Sequence, residues 1–324
     1  MRLSTRSGPV SVRSAMPRFR LAHFSDVHYT VNPFANLPEG LRGKRLASCV
    51  GDFFTRRRAR FRNSDERIGA LLEDIDQAGV DHALCTGDLT SISLDAEFEG
   101  LARVFGSRLT MPDRYTVIPG NHDRYVPSAV RGRAFERFFA RLCGGGDQFP
   151  FAKRLGAGLR VVAIDVSRPT SVTDSSGLCG PAQRTTLARI LSEDDRSPTL
   201  VAMHYGLLRS SGNEDHLHHR MRDATDILKI LNESPARIAI ILHGHMHTAF
   251  TVHSGRHTII CAGSATDLAV DCGYCIYDID LDTLAVHVQR RCWNRRLNRY
   301  EAVDTTALND AVQSRRGVKL AMGH

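Results

Sequence analysis

The sequence predicts an α/β fold with a mixed sheet layer, and three observations lead there. Short apolar runs that end in polar residues recur at 19–26 (FRLAHFSD), 81–88 (DHALCTGD), 114–121 (RYTVIPGN), 159–166 (LRVVAIDV), 198–205 (PTLVAMHY) and 237–244 (RIAIILHG). Helical patterns lie between them, as at 64–79 and 182–194. Further strand-like runs near 257–263, 273–280 and 284–291 then follow one another with no helix between them. Alternation of strand and helix builds a parallel sheet, and a terminal series of strands adds mixed pairing.

Each element has its own local reason. A short apolar run bounded by polar and turn residues has the length of a buried strand rather than of a helix. The pattern at 64–79 opens on Ser64 with Arg67 three residues on, and it closes on Gly79, a helix stop. No internal repeat and no Pro/Ser-rich linker divides the chain, so residues 18–304 read as one domain. Residues 1–17 read as a disordered leader, with Met16 as an alternative start, and 305–324 as a tail without firm periodicity. The N-terminus has no continuous apolar core and is not a secretory signal. No run approaches the length of a membrane-spanning helix.

A chain of 324 residues with 42% hydrophobic and 24% charged residues has ordinary globular composition. A domain of that size buries roughly three quarters of its unfolded surface, so a metal site in it has a function other than holding the fold. Lys and Arg number 43 against 35 Asp and Glu, a net charge of +8. The surplus suits phosphate, nucleic acid or an acidic membrane face and selects none of them. The eight cysteines are scattered, with Cys272 and Cys275 as the one tight pair, in an apolar run. They read as buried free thiols, which fits a reducing compartment and a cytoplasmic location.

Five segments deliver metal-ligand chemistry to the same end of the strands. They carry Asp26 and His28, then Asp88, then Asn121, His122 and Asp123, then His204, and last His245 and His247. Ligands collect at the carboxyl ends of strands in open α/β sheets. Singly, such a His can bond a loop backbone and such an Asp can cap a helix. Five in one place do not make a packing pattern. Gly87, Gly120 and Gly244 each stand directly before one of these segments, where the backbone must turn and approach closely.

The blocks DVH, GDLT, GNHD, the lone His204 and GHMH resemble, in order, the five blocks of the calcineurin-like metallophosphoesterases, over residues 19 to about 265. That superfamily includes purple acid phosphatases, Ser/Thr protein phosphatases, cyclic-nucleotide phosphodiesterases and some nucleases. The resemblance implies a four-layer fold, two mixed β-sheets packed face to face and flanked by helices, with two divalent metal ions at the loop ends. It would place Asp26, His28 and His247 on the first ion and Asn121, His204 and His245 on the second, with Asp88 bridging. Those ligand types suit Mn, Fe, Zn or Ni. A water shared by the ions would supply hydroxide to attack phosphorus. His122 would protonate the leaving oxygen, and Asp123 would orient its ring. His243 matches no ligand position and is expected to be dispensable for metal binding.

The substrate implied is a small anionic phosphoester, with a phosphodiester or pyrophosphate favoured over a monoester. The arrangement is most similar to cyclic-nucleotide phosphodiesterase-like and UDP-diacylglucosamine-type lipid-pyrophosphatase-like proteins. Nucleic acid is not expected, because nucleases of the superfamily usually carry extra DNA-contact domains. The rival from another class is a binding or scaffold protein on the same fold. About sixty residues separate His28 from Asp88, and the surplus holds a basic segment at 41–63 with eight Lys or Arg against Asp52. Its Leu46, Val50, Phe53, Phe54 and Phe61 fit a helical stripe. The stripe reads either as packing on the core or as a contact with an anionic membrane at its inner face. His216, in the histidine-rich 214–223, is a candidate substrate contact, and the cationic 290–299 around Trp293 reads as a solvated edge.

Overall fold

A computed structural model describes residues 17–33, 43–55, 57–144, 148–193, 195–306 and 309, with the backbone alone for 52–55, 57 and 58. The chain runs from β1 (Arg18–Phe24) through α1 (Lys44–Thr55), α2 (Arg57–Arg60) and α3 (Ser64–Gln77) to β2 (His82–Cys85). Next come α4 (Asp95–Phe105), β3 (Tyr115–Val117), α5 (Pro127–Arg131) and α6 (Ala134–Phe139). The second half holds β4 (Phe151–Arg154), β5 (Arg160–Ala163), α7 (Gly180–Ser192), β6 (Thr199–Ala202), α8 (Ala224–Glu233) and β7 (Ile238–His243). Five strands follow: β8 (Phe250–Ser254), β9 (His257–Cys261), β10 (Gly273–Asp280), β11 (Val286–Asn294) and β12 (Arg299–Val303).

Among the described residues these strands form two six-stranded mixed sheets, ordered β12-β11-β10-β1-β2-β3 and β4-β5-β6-β7-β9-β8. The central strands are buried on both faces, which explains their continuous apolar runs. In β5, β6 and β7, Val161, Leu200 and Ile240 face the first sheet, where Leu21, Leu84, Tyr277 and Val288 meet them. Their neighbours Val162, Val201 and Ile241 face outward onto Leu187 and Leu191 of α7 and Ile227 and Leu231 of α8. On the first sheet Ala22, Phe24 and Ala83 face Ile68 and Leu72 of α3 and Phe98 and Leu101 of α4. The result is helix, sheet, sheet, helix: the four layers that the resemblance implies.

Three strands escape the sequence reading, β4, β8 and β12, and all three are sheet edges with half-exposed side chains. An edge strand with one wet face has too few apolar residues to form a run. The closing strands also divide between the sheets: β9 pairs with β7 in the second sheet, whereas β10 pairs with β1 in the first. The crossing from Cys261 to Gly273 therefore passes over the strand ends, held by Ala265 N–H to the Ser25 carbonyl at 2.9 Å.

The apolar stripe of 41–63 divides in the same way. Leu46 and Val50 are 45% and 50% exposed on α1, while Cys49 and Phe61 are buried. Residues 41 and 42 and the side chains of Phe53 and Phe54 lie outside the described residues. All eight cysteines are free and seven are buried, Cys272 and Cys275 among them. Trp293 packs on Tyr300, with ring centroids 5.2 Å apart, rather than standing clear as a stacking platform. No helix among the described residues is long and apolar enough to cross a membrane.

Candidate metal centre

The loops leaving β1, β2 and β7 are bent in a way that L-residues resist. Asp26, His28, Asp88, His245 and His247 all have positive φ, between 40° and 68°. A left-handed non-glycine residue costs roughly 1–3 kcal/mol and persists where the surrounding structure over-determines it. Five of the seven sequence-predicted ligands are thus held in disfavoured backbone conformations. Two glycines leave the room this needs. A Cβ on Gly244 would stand 1.9 Å from Ser25 Oγ and 2.5 Å from Asp26 Oδ2, and one on Gly120 would stand 2.2 Å from Asp88 Oδ1.

The bends bring the polar groups into two neighbouring clusters. Ligand atoms of Asp26, His28 and His247 lie within 4.8 Å of one another, as do those of Asp88, His204 and His245, and those of His28, Asp88 and His122 where the two clusters meet. Asp88 stands between them, its Oδ2 3.7 Å from His28 Nε2 and 3.3 Å from His204 Nε2. Asn121 Oδ1 joins the second cluster, 3.1 Å from both His204 Nε2 and His245 Nδ1. The seven residues that the resemblance names as ligands thus lie together at the strand ends.

Hydrogen bonds on the outer side of each ring decide which nitrogen faces inward. His28 Nδ1 donates to the Thr90 carbonyl at 3.2 Å, and His204 Nδ1 donates to the Thr86 carbonyl at 2.7 Å. His245 is reversed: its Nε2 donates to the His219 carbonyl at 3.2 Å. His247 Nδ1 donates to Asp267 Oδ2 at 2.8 Å. With the outer nitrogens protonated, the inner nitrogen of a neutral ring carries a lone pair, and a bound cation would displace any proton held there. His28 Nε2 and His247 Nε2 then face each other at 3.2 Å with no proton between them. Two lone pairs and the Asp26 carboxylate converge on one point, an arrangement a divalent cation satisfies.

Charge follows the same pattern. Burial works against ionising Asp88, yet His204, His122 and His28 outweigh it and hold the carboxyl well below its usual range. Burial likewise opposes charge on His204, but Asp88 and Asp26 push its pKa up to about 9, so without a cation its inner Nε2 holds a proton toward Asp88, the positive charge that a bound ion would replace. Burial and the nearby His204 keep His245 neutral.

His122 lies at the edge of this cluster, its ring edge-on to His28 at 4.8 Å and stacked on Tyr125 at 5.3 Å. Its Nδ1 donates to the Ser91 carbonyl, so Nε2 is the nitrogen left for proton transfer. The role of orienting this ring, expected of Asp123, falls to Ser91. The Asp123 carboxylate accepts instead from the backbone N–H groups of Leu89, Thr90 and Gly120 and from Thr90 Oγ1. It is a short acceptor three residues past Gly120, so the peptide donors of two adjacent loops reach it first. Asp123 thereby ties the Asp88 loop to the His122 loop.

Four further residues belong to the site. Asp267 is fully buried and is gripped by Arg60, whose Nε is 2.8 Å from Oδ1. Phe61 packs on the His28 ring at 4.7 Å. His219 lies against His245, with Nδ1 2.9 Å from Asp215. His216, by contrast, points to Arg209 on the exposed surface. Asp267 is likewise an Asp in the loop after a strand, six residues past β9, but it lies two residues beyond the end of the resemblance. His243 is buried in the strand, bonded to the Gly244 carbonyl and facing Phe250, and belongs to neither cluster. Over the centre opens a cavity of about 630 Å³, walled by Ala47, Ser48 and Gly51 of α1, by Arg60 and Tyr125, and floored by His245 and His247.

The family model of the calcineurin-like phosphoesterases matches residues 19–249. A comparison with curated protein sequences gives no match. Among solved structures, the chain is similar to a phosphoesterase of Escherichia coli, at 12% identity over 83% of this chain and 96% of that one, with a TM-score of 0.34. It is also similar to GAP50 of Plasmodium, an anchor in the inner membrane complex, at 12% identity over 91% and 93%, with a TM-score of 0.49. Vps29 of Entamoeba histolytica matches at 13% identity over 89% and 99%, with a TM-score of 0.36. The match over most of the chain, on a four-layer fold with ligand groups at its strand ends, places the protein in the calcineurin-like phosphoesterase family, hydrolases of phosphoric esters.

Proposed function

We propose that this protein hydrolyses a phosphodiester or pyrophosphate bond at a centre of two divalent ions. The observation that carries the proposal is the set of inward lone pairs. His28 and His247 with Asp26 would hold one ion, and His204 and His245 with Asn121 the other, with Asp88 between them. Two ions so placed supply Lewis-acid charge for the phosphoryl oxygens and lower the pKa of water toward neutrality.

The chain's own residues do the rest. Asn121 contributes a neutral oxygen, which leaves positive charge in the centre available to a phosphate. His122, with Nδ1–H fixed on Ser91, would act as the imidazolium, giving its Nε2 proton to the leaving oxygen and returning to the neutral ring. Tyr125 behind the ring and Phe61 beside His28 keep water from the outer faces of these imidazoles. The cavity of about 630 Å³ above the ligands has room for organic groups on both sides of a phosphoryl centre, which supports a diester over a monoester. We expect kcat/KM for bis-p-nitrophenyl phosphate, with added Mn²⁺, to exceed that for p-nitrophenyl phosphate by about tenfold or more, roughly 1.4 kcal/mol of transition-state binding. A preference for the monoester would reverse the substrate assignment.

A further inference from the structure

Lys44, the first residue of α1, has no role in the centre as described, yet its setting is unusual for a lysine. Its Nζ donates to Thr170 Oγ1 at 3.0 Å and lies 4.2 Å from the centroid of the Tyr125 ring. Among the described residues it makes no ion pair. The two carboxylates whose field it feels are already committed. Asp174 pairs with Arg222 at 2.8 Å and accepts from Ser176 N–H, and Asp88 belongs to the ligand cluster. Burial lowers the Lys44 pKa to about 8. A half-buried cation without a counter-ion is costly unless a ligand brings one.

Its position is fixed by its neighbours. Arg45 is 7% exposed and donates to the carbonyls of Ile92 and Ser93. That loop also supplies the Ser91 carbonyl to His122, and Ser93 Oγ donates to the His122 carbonyl at 2.6 Å. Lys44 is therefore locked to the same loop as the proton donor. Tyr125 joins the two, stacked on His122 at 5.3 Å and touched by the ammonium at 4.2 Å. Ala47 and Ser48, three and four residues on from Lys44 along α1, wall the cavity with Tyr125, so a leaving group that departs on the His122 side and extends along the Tyr125 face would approach Lys44. Thr170 Oγ1–H is committed to the Asp174 carbonyl, so that oxygen can only accept from Lys44. The lysine keeps two N–H donors for an incoming oxyanion.

We propose that Lys44 binds an anionic group carried by the leaving half of the substrate, which makes the preferred substrate one whose leaving group is itself phosphorylated, as in a pyrophosphate bond. The proposal rests on the phosphoesterase reading and narrows it. It assigns the N-terminus of the basic segment to substrate selection.

The test is calorimetric binding to the full-length, Mn²⁺-loaded protein, with methylenebisphosphonate as a two-anion probe and methylphosphonate as a one-anion probe. Wild type should bind the bisphosphonate at least about tenfold more tightly, within the range of a charge-assisted hydrogen bond. Lys44→Met should bring the ratio to within about twofold. Lys44→Gln, which keeps a donor for Thr170 and lacks the charge, should do the same and guards against a folding defect in the first variant. An unchanged ratio in both variants, or no preference in wild type, overturns the proposal. Turnover separates this idea from the one beneath it. A Lys44-dependent ratio without hydrolysis of any phosphoester sinks the enzyme reading alone, and hydrolysis with an unmoved ratio sinks the Lys44 assignment alone.

Discussion

His122→Ala is expected to lower kcat for bis-p-nitrophenyl phosphate by about 10²–10⁴-fold, the range of general acid–base catalysis, while the protein keeps its metal complement. The imidazole lies near His28 and Asp88, but it is absent from both the Asp26–His28–His247 and the Asp88–His204–His245 groups, so both keep their ligands without it. It makes its own bond to Ser91 and leaves Nε2 toward the reacting side. Its backbone N–H also donates to Asp88 Oδ1 at 2.8 Å, and alanine preserves that bond, so the Asp88 carboxylate stays in place. Metal content by mass spectrometry and turnover on the same sample separate the two roles. A variant with full rate would remove His122 from proton transfer, and a variant without metal would make it a ligand.

Asp267→Asn is expected to weaken metal binding at the Asp26–His28–His247 cluster by about 10–100-fold, the usual effect of losing a carboxylate behind a metal-ligating histidine. Burial opposes ionisation of this carboxyl, but hydrogen bonds from His247 and Arg60 outweigh it and hold its pKa below the ordinary range. The group is an anion that accepts from both. An asparagine offers one acceptor oxygen to two donors. Either Arg60 loses its partner or His247 turns, and a turned ring no longer aims Nε2 at His28. Activity should return at high Mn²⁺, because the ligand itself is still present. A Mn²⁺ titration of turnover checks this, and a curve identical to wild type would reduce Asp267 to a packing role.

How much of this was legible in the sequence depends on what each feature costs. The central strands announce themselves because burial on both faces forces an unbroken apolar run, as in IAIILH of β7. The ligands announce themselves because Asp, Asn and His at the ends of five such runs are too costly to be fillers. The edges β4, β8 and β12 leave no such mark, since solvent accepts any residue on their open faces. Arg60 and His219 were hidden for another reason. Each acts through a partner distant in sequence, 207 residues apart for Arg60 and Asp267, and only the crossing between the two sheets brings them together. Asp123 shows the converse. Its identity was legible, but its partner was not, because backbone donors nearby compete with the imidazole for the same carboxylate. His216 and His219 stand three residues apart in one histidine-rich segment, and only the turn between them decides which reaches His245.

The most direct test of a two-ion phosphoesterase is turnover of bis-p-nitrophenyl phosphate by chelator-stripped protein as Mn²⁺ is added back in measured equivalents. No activity is expected before addition, with a rise that levels off at about two equivalents per chain, as two ligand clusters with Asp88 between them require. Saturation at one equivalent would contradict the paired centre. No turnover with Mn²⁺, Fe²⁺, Zn²⁺ or Ni²⁺ would contradict the enzyme itself.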